Sequence, residues 1–224
     1  MKNAFILFIL LTTLNANAQH KAVQFGFVGG FNMGWIASNT DNYSNNGLKP
    51  AGSWGFVTDI YMMEGYAFTT GFTVVYLNGD MTMPFKLDSL EGSVQRDFRT
   101  KYIEIPLTFT MKTKNIKEKV RIYGQIGLGI SFLLSAHGHD DFSSNEGTNL
   151  SDTKNIYDDL TLTRESLILG VGIEIPVYGS SFIRTGFRFD NAFINILKGN
   201  NSLDQAIKNN GRNNFVEFMA AFLF

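Results

Sequence analysis

Histidine and carboxylate side chains crowd together at HGHDD, residues 137–141. His137 and His139 offer imidazole nitrogens, and Asp140 and Asp141 offer carboxylate oxygens, a donor set suited to zinc or another divalent ion. Ligands from adjacent residues rarely converge on one ion without a second segment. The run is therefore read as the polar start of a loop, and no metal or cofactor is assigned. The same histidines beside Ser131, Ser135 or Ser143 suggest a nucleophile and its base. Ser135 and His137 share only a strand face, the sequence has no G-x-S-x-G elbow, and no third residue is fixed by the pattern. A lipid-acting enzyme is thus the weaker alternative, with no catalytic residue assigned.

A second set of charged groups is dispersed: Asp59, Glu104, Arg164, Glu174, Arg184, Arg188, Asp190 and Glu217, each in an otherwise apolar stretch. Glu104 and Glu174 are each followed two residues on by a proline, Pro106 and Pro176. Such a pair reads either as a gating element or as a carboxylate paired to an arginine beside a local bulge, because proline lacks the donor for one ladder bond. The second reading is favoured, and Pro176 is expected to end its strand.

The segments that carry these charges alternate with period two, the signature of strands. In KYIEIPLTFTM, Ile103, Ile105, Leu107, Phe109 and Met111 alternate with Tyr102, Glu104, Pro106, Thr108 and Thr110. Eight such segments are read, at about 23–35, 53–63, 66–77, 101–111, 121–134, 160–177, 181–196 and 213–224. Their connections alternate long and short. The stretches 37–52, 78–97, 136–160 and 197–213 read as long loops, whereas Glu64-Gly65, the basic KTKNIKEK and YGSS read as short turns. In an antiparallel meander this puts all long loops at one rim.

Which solvent meets the apolar face is decided by what the other face would enclose. Charged side chains on lipid near the midplane cost about 2–4 kcal/mol each, and eight of them in a dry soluble core cost more unless all are paired. The charges therefore point into a lumen, where Asp59, Glu104, Glu174 and Glu217 can be balanced by arginines through bidentate bonds. Eight strands enclose an interior just wide enough for side chains to fill, which favours a polar plug over a channel.

The opening MKNAFILFILLTTLNANAQH has a basic start, an apolar core and a small-residue site at Ala16-Asn17-Ala18, a signal peptide expected to occupy residues 1–18. Residues 19–224 then form one outer-membrane β-barrel domain. No cysteine is present, so neither a disulfide framework nor a lipid anchor at the cleavage site is expected. With 19 basic and 20 acidic side chains, no nucleic-acid partner is implied. The 22 glycines and 21 phenylalanines suit tightly closing strands that meet a membrane interface through aromatic rings.

FGFVGGFNMGW at the first strand, YIEIPLTF, IYGQIGLGISFLL and a last strand ending in Phe224 together resemble the PorT family, small outer-membrane β-barrel domain proteins of the Bacteroidota. The resemblance covers the whole mature chain, and YIEIPLTF is its sharpest piece. It implies an eight-stranded antiparallel transmembrane barrel in the outer membrane, with long loops outside the cell and short turns and both termini in the periplasm. It implies outer-membrane lipid and lipopolysaccharide as surroundings, and insertion by the barrel-assembly machinery through the terminal aromatic Phe224. Envelope or type IX secretion proteins are the partners it suggests, in a structural or interaction role. A narrow passive channel is the alternative.

Overall fold

In the computed structural model, residues 22–116 and 120–224 are described. The leader read at residues 1–18 lies outside them. Ten strands form: β1 (Val23–Ala37), β2 (Ser44–Asn45), β3 (Lys49–Met63), β4 (Tyr66–Leu87), β5 (Leu90–Lys112), β6 (Arg121–Ser144), β7 (Asn149–Asn155), β8 (Thr163–Tyr178), β9 (Ser181–Ala192) and β10 (Arg212–Leu223). Eight of them close a barrel in the order β1-β3-β4-β5-β6-β8-β9-β10, every neighbouring pair antiparallel and β10 returning to β1. Closure leaves the wall no free edge, the condition for strands in hydrocarbon. Among the described residues, no helix is long and apolar enough to cross a membrane.

Aromatic and aliphatic side chains cover the outside of the wall. Phe27 is 55% exposed, Trp54 53% and Phe187 59%, values that suit lipid contact and not a water-facing surface. Phe27 packs on Phe56, and Phe56 on Phe72, with ring centroids 4.8 and 5.0 Å apart across neighbouring strands. Phe224 is also exposed here; its backbone N–H donates to the Phe25 carbonyl at 2.8 Å.

Three strands continue past the rim. The segment 78–97, read as a loop, is instead the far part of one hairpin: β4 and β5 pair up to Leu87↔Leu90, and the turn is made by Asp88, at φ 52°, and Ser89. Similarly, 136–160 is mostly strand, because β6 runs to Ser144 and returns as β7, followed by a short 3-10 turn at Tyr157–Asp159. With β2 on the outer side of β4, these strands build a sheet above the barrel. Pro84 is tolerated there because, beyond the short β2 pairing, β4 is an edge strand.

Polarity inverts at the rim. Within the wall, β5 turns Ile103, Ile105 and Phe109 outward and Glu104, Thr108 and Thr110 inward. Beyond it, the same inner phase carries Val94 and Phe98, and the outer phase carries Gln95, Asp97, Arg99 and Lys101. Strand β4 does likewise, with Val75, Leu77, Met81 and Met83 inside. The outer solvent has changed from lipid to water. Lys101 lies 5.5 Å from the Tyr76 ring at this level, a pairing suited to the membrane interface.

Smaller boundaries also differ from the sequence reading. Lys49–Gly52 belong to β3 and pair with β1, whereas Phe193–Ile196 leave β9, so that buried Ile196 and Leu197 fold over the barrel mouth. No bulge accompanies Pro106, because the β4–β5 register is the same on both sides of it. Pro176 does not end β8; it precedes a register shift, and the strand reaches Tyr178.

Candidate functional site: the barrel interior

Each strand of the wall sends alternate residues inward, and the polar ones meet in two layers. The layer nearer the short turns contains Asp59 from β3, Lys112 from β5, Glu174 from β8 and Arg184 from β9. Lys112 Nζ lies 2.8 Å from Asp59 Oδ2 and 3.0 Å from Glu174 Oε1. Arg184 donates to Glu174 Oε1 from Nη2 at 2.7 Å and from Nε at 2.9 Å, and also pairs with Asp59. Two cations face two anions, and all four side chains are at most 1% exposed. Lys112 also donates to Tyr61 Oη at 2.6 Å, Tyr61 donates to Gln24 Oε1 at 2.6 Å, and Gln24 Nε2 donates to the Ser180 carbonyl at 2.8 Å, so the polar chain runs down to the short-turn rim.

The second layer sits deeper. Arg188 Nη1 is 2.8 Å from Glu104 Oε1, and its Nε is 3.0 Å from Glu217 Oε2. Arg164 pairs with Asp190, lies 3.7 Å from Glu104 Oε2 and donates to the Asn213 carbonyl from Nε at 3.0 Å and from Nη2 at 2.9 Å. Ser53 donates to Glu217. The Phe215 ring lies 5.0 Å from the Arg188 guanidinium and 5.5 Å from that of Arg164. Thus all eight charged residues singled out in the sequence are buried within these two layers.

The interior is narrow enough that its glycines matter. A Cβ at Gly186 would lie 2.6 Å from Tyr123 Oη and 2.3 Å from the Val171 carbonyl. Glycine at this position, and at Gly172 beside it, leaves room for the Tyr123 ring to lie 5.2 Å from the Arg184 guanidinium.

Above the charged layers the interior turns apolar. Ile36, Leu77, Phe98, Tyr102, Ile156, Leu160, Ile196 and Phe215 form one buried cluster, each at most 1% exposed. This cluster spans the mouth between the outer sheet and the segment after β9. Together the salt-bridged layers and the apolar cap fill the axis of the barrel.

HGHDD lies on β6 in the outer sheet, and strand alternation divides it. His139 Nδ1 lies 2.7 Å from Thr153 Oγ1, and Ser151 donates to Asp141 Oδ1 at 2.5 Å, all on the water side. Asp140 points the other way, where Arg96 Nη2 donates to its Oδ2 at 2.6 Å and Lys154 Nζ approaches at 3.0 Å. Among the described residues, no group of three or more His, Cys, Asp or Glu side chains is arranged to hold a metal ion. Ser131 is inside the wall, 3.5 Å from Glu104, far from either histidine along β6.

Asp140 supplies a pH dependence in the outer sheet. Burial alone pushes its carboxyl up, but the hydrogen bonds from Arg96 and Lys154 outweigh it and hold the group below the usual carboxylate range. A carboxyl depressed in the folded state stabilises above its unfolded value, near about 3.9, and loses that stabilisation as pH falls through the folded value. Melting of the outer sheet, followed by near-ultraviolet circular dichroism, is expected to move down as the pH falls below about 5. Asp140→Asn is expected to flatten that dependence while lowering the midpoint at neutral pH.

Two features escaped the sequence reading. The sequence puts Lys112 in the basic turn, whereas it is the last residue of β5 and points inward. The alternation continued one residue past Met111 assigns it to the inner face, and that is the available signal. The Arg96–Asp140 pair is hidden in the sequence because both residues fall in stretches that read as loop.

A family model described as an outer membrane protein beta-barrel domain matches residues 15–198. The chain belongs to the outer membrane protein beta-barrel domain family. A comparison with curated proteins finds no match. Among solved structures the chain is similar to Neisserial surface protein A, with 12% identity, 91% of this chain and 96% of that one covered, and a TM-score of 0.50. It is also similar to the outer membrane protein OprG from Pseudomonas aeruginosa, with 13% identity, 92% and 97% covered, and a TM-score of 0.51. At these identities the likeness is one of fold. Family, closed wall and lipid-type exterior together make the protein an integral outer-membrane barrel, with the long connections and the outer sheet outside the cell and the short turns in the periplasm.

Proposed function

We propose that this family member acts as a structural or interaction element of the outer membrane, presenting its extracellular sheet to other components of the envelope. The observation that carries this reading is the filled axis: two buried ion-pair layers lie beneath an apolar cap, so the barrel serves as a rigid support for the sheet. That sheet is long relative to the wall and carries polar groups on its water side, including Arg99, His137, His139 and Asp141. The PorT-like segments YIEIPLTF and IYGQIGLGISFLL favour a partner within the type IX secretion and gliding apparatus of a Bacteroidota envelope. On this reading a signal peptide is removed after Ala18 and Phe224 is the aromatic recognised during assembly.

A second reading, a narrow passage, draws on a cavity of about 40 Å³ among the inner-face residues and on the general place of the family in the outer membrane. In-cell crosslinking with the tagged barrel separates the two. The comparison is a variant in which 82–95 and 141–151 are each replaced by a short turn, with heat-modifiable gel migration confirming a folded wall. Loss of crosslinked envelope proteins only in the shortened form supports the sheet as the interaction surface. Partners retained by both forms overturn it, and ion flux in liposomes without any partner favours the passage.

A further inference from the structure

One sector of the rim carries cations and no acid. The registers align two rows of outward side chains across β4, β5, β6 and β7: Tyr76, Lys101 and Ser135 in the lower row, and Asn78, Arg99, His137 and Asn155 in the row above it. The acids of this face begin one row further out, at Asp80 and Asp97, and both are matched there. Lys49 Nζ lies 3.1 Å from Asp80 Oδ2 and 3.9 Å from Asp97 Oδ2. Among the described residues Lys101 pairs with no carboxylate and instead lies 5.5 Å from the Tyr76 ring. Arg99 reaches one carboxylate, Asp97 at 3.5 Å, and its side chain stays 68% exposed. His137 beside it is also exposed.

Exposed arginine and lysine are ordinarily a solvated face, and a single ion pair there is worth little. Depth distinguishes this patch. Below it Ile103, Phe132 and Leu134 face lipid, and above it Gln95 and Asp97 face water, so the membrane boundary runs through the two rows. Tyr76 under Lys101 marks the same boundary with an aromatic ring. Arg99 and His137 stand two residues beyond, about 7 Å along the strands. That distance from the hydrocarbon is the depth of the headgroup layer. On the extracellular side of an outer membrane this layer is made by lipopolysaccharide, whose lipid anchor carries its phosphates there.

We propose that Arg99, Lys101 and His137 form a docking site for a phosphate of lipid A, the membrane anchor of lipopolysaccharide. The planar guanidinium of Arg99 suits two phosphate oxygens at once, and Lys101 supplies a compact charge from the lipid side. His137 adds a ring N–H from the neighbouring strand. Ile103, Phe132 and Leu134 beneath offer an apolar wall to the acyl chains of the same molecule. The site fastens the base of the outer sheet to the leaflet, and it does so whether or not the sheet above recruits a protein.

The test is native mass spectrometry of the barrel released from phosphatidylcholine nanodiscs containing increasing amounts of rough lipopolysaccharide. Arg99→Gln/Lys101→Gln is expected to lower the apparent affinity for lipopolysaccharide at least about tenfold. Lys198→Gln/Lys208→Gln, which removes two cations from the connection after β9, is expected to leave it unchanged. Chemically dephosphorylated lipopolysaccharide is expected to bind the wild type no better than it binds the Arg99→Gln/Lys101→Gln form. Heat-modifiable migration confirms that each variant is folded. Equal retention by the wild type and Arg99→Gln/Lys101→Gln would overturn the proposal, as would an equal loss in Lys198→Gln/Lys208→Gln, which would mean bulk charge alone. Displacement of the lipid by inorganic phosphate at a matching concentration would also overturn it, by making the patch a site for a free anion.

Discussion

Replacing Arg184 with alanine will lower the unfolding free energy of the refolded barrel by about 3–5 kcal/mol, the usual consequence of breaking a buried ion pair from one side. Arg184 is the one guanidinium of the layer near the periplasmic rim, and both Asp59 and Glu174 accept from it. Without it, two carboxylates at most 1% exposed share only Lys112. Among the described residues the interior beside Arg184 offers only a cavity of about 40 Å³, little room in which to hydrate the surplus charge. Urea titration in lipid vesicles, followed by tryptophan fluorescence, reads the loss directly. A double variant, Arg184→Met with Asp59→Asn, is expected to lose less than the sum of its single changes, because removing both partners leaves no stranded charge.

Phe98→Ala is the second large effect, of about 3–5 kcal/mol, and it falls on a different part of the molecule. Phe98 is fully buried in the apolar cap, among residues of the outer sheet and the segment after β9. The cap is an ordinary water-excluded core outside the membrane, so its loss should loosen the sheet and leave the wall intact. Limited proteolysis is expected to cut the variant within 78–97 or 136–160, while heat-modifiable migration persists. Simultaneous loss of both would mean that wall and cap fold as one unit.

These two effects also mark what could be read from the sequence. The wall was legible because lipid imposes one rule on every strand: Phe25, Phe27 and Phe31 of β1, like Ile126, Leu128 and Phe132 of β6, keep their phase over the full crossing. Charges in the opposite phase have only the interior to occupy, which is where Asp59, Glu104 and Arg184 lie. The outer sheet was not legible. Beyond Tyr76 and Lys101 water replaces lipid outside, and the apolar phase moves to Leu77, Met81, Val94 and Phe98 without any change in strand direction. A phase change of that kind reads as loss of pattern. On β6 a further irregularity pairs Lys101 with Ser135 and Tyr102 with Leu133, skipping Leu134, which obscured the strand running into HGHDD.

Axial closure by paired charges is the central claim, and single-channel recording of the wild-type barrel in planar lipid bilayers tests it most directly. The ion-pair layers of Asp59, Lys112, Glu174 and Arg184 and of Glu104, Arg164, Arg188, Asp190 and Glu217, under the cap at Phe98 and Phe215, predict no steady conductance above the bare bilayer. A large, steady current from the folded wild type would contradict that account.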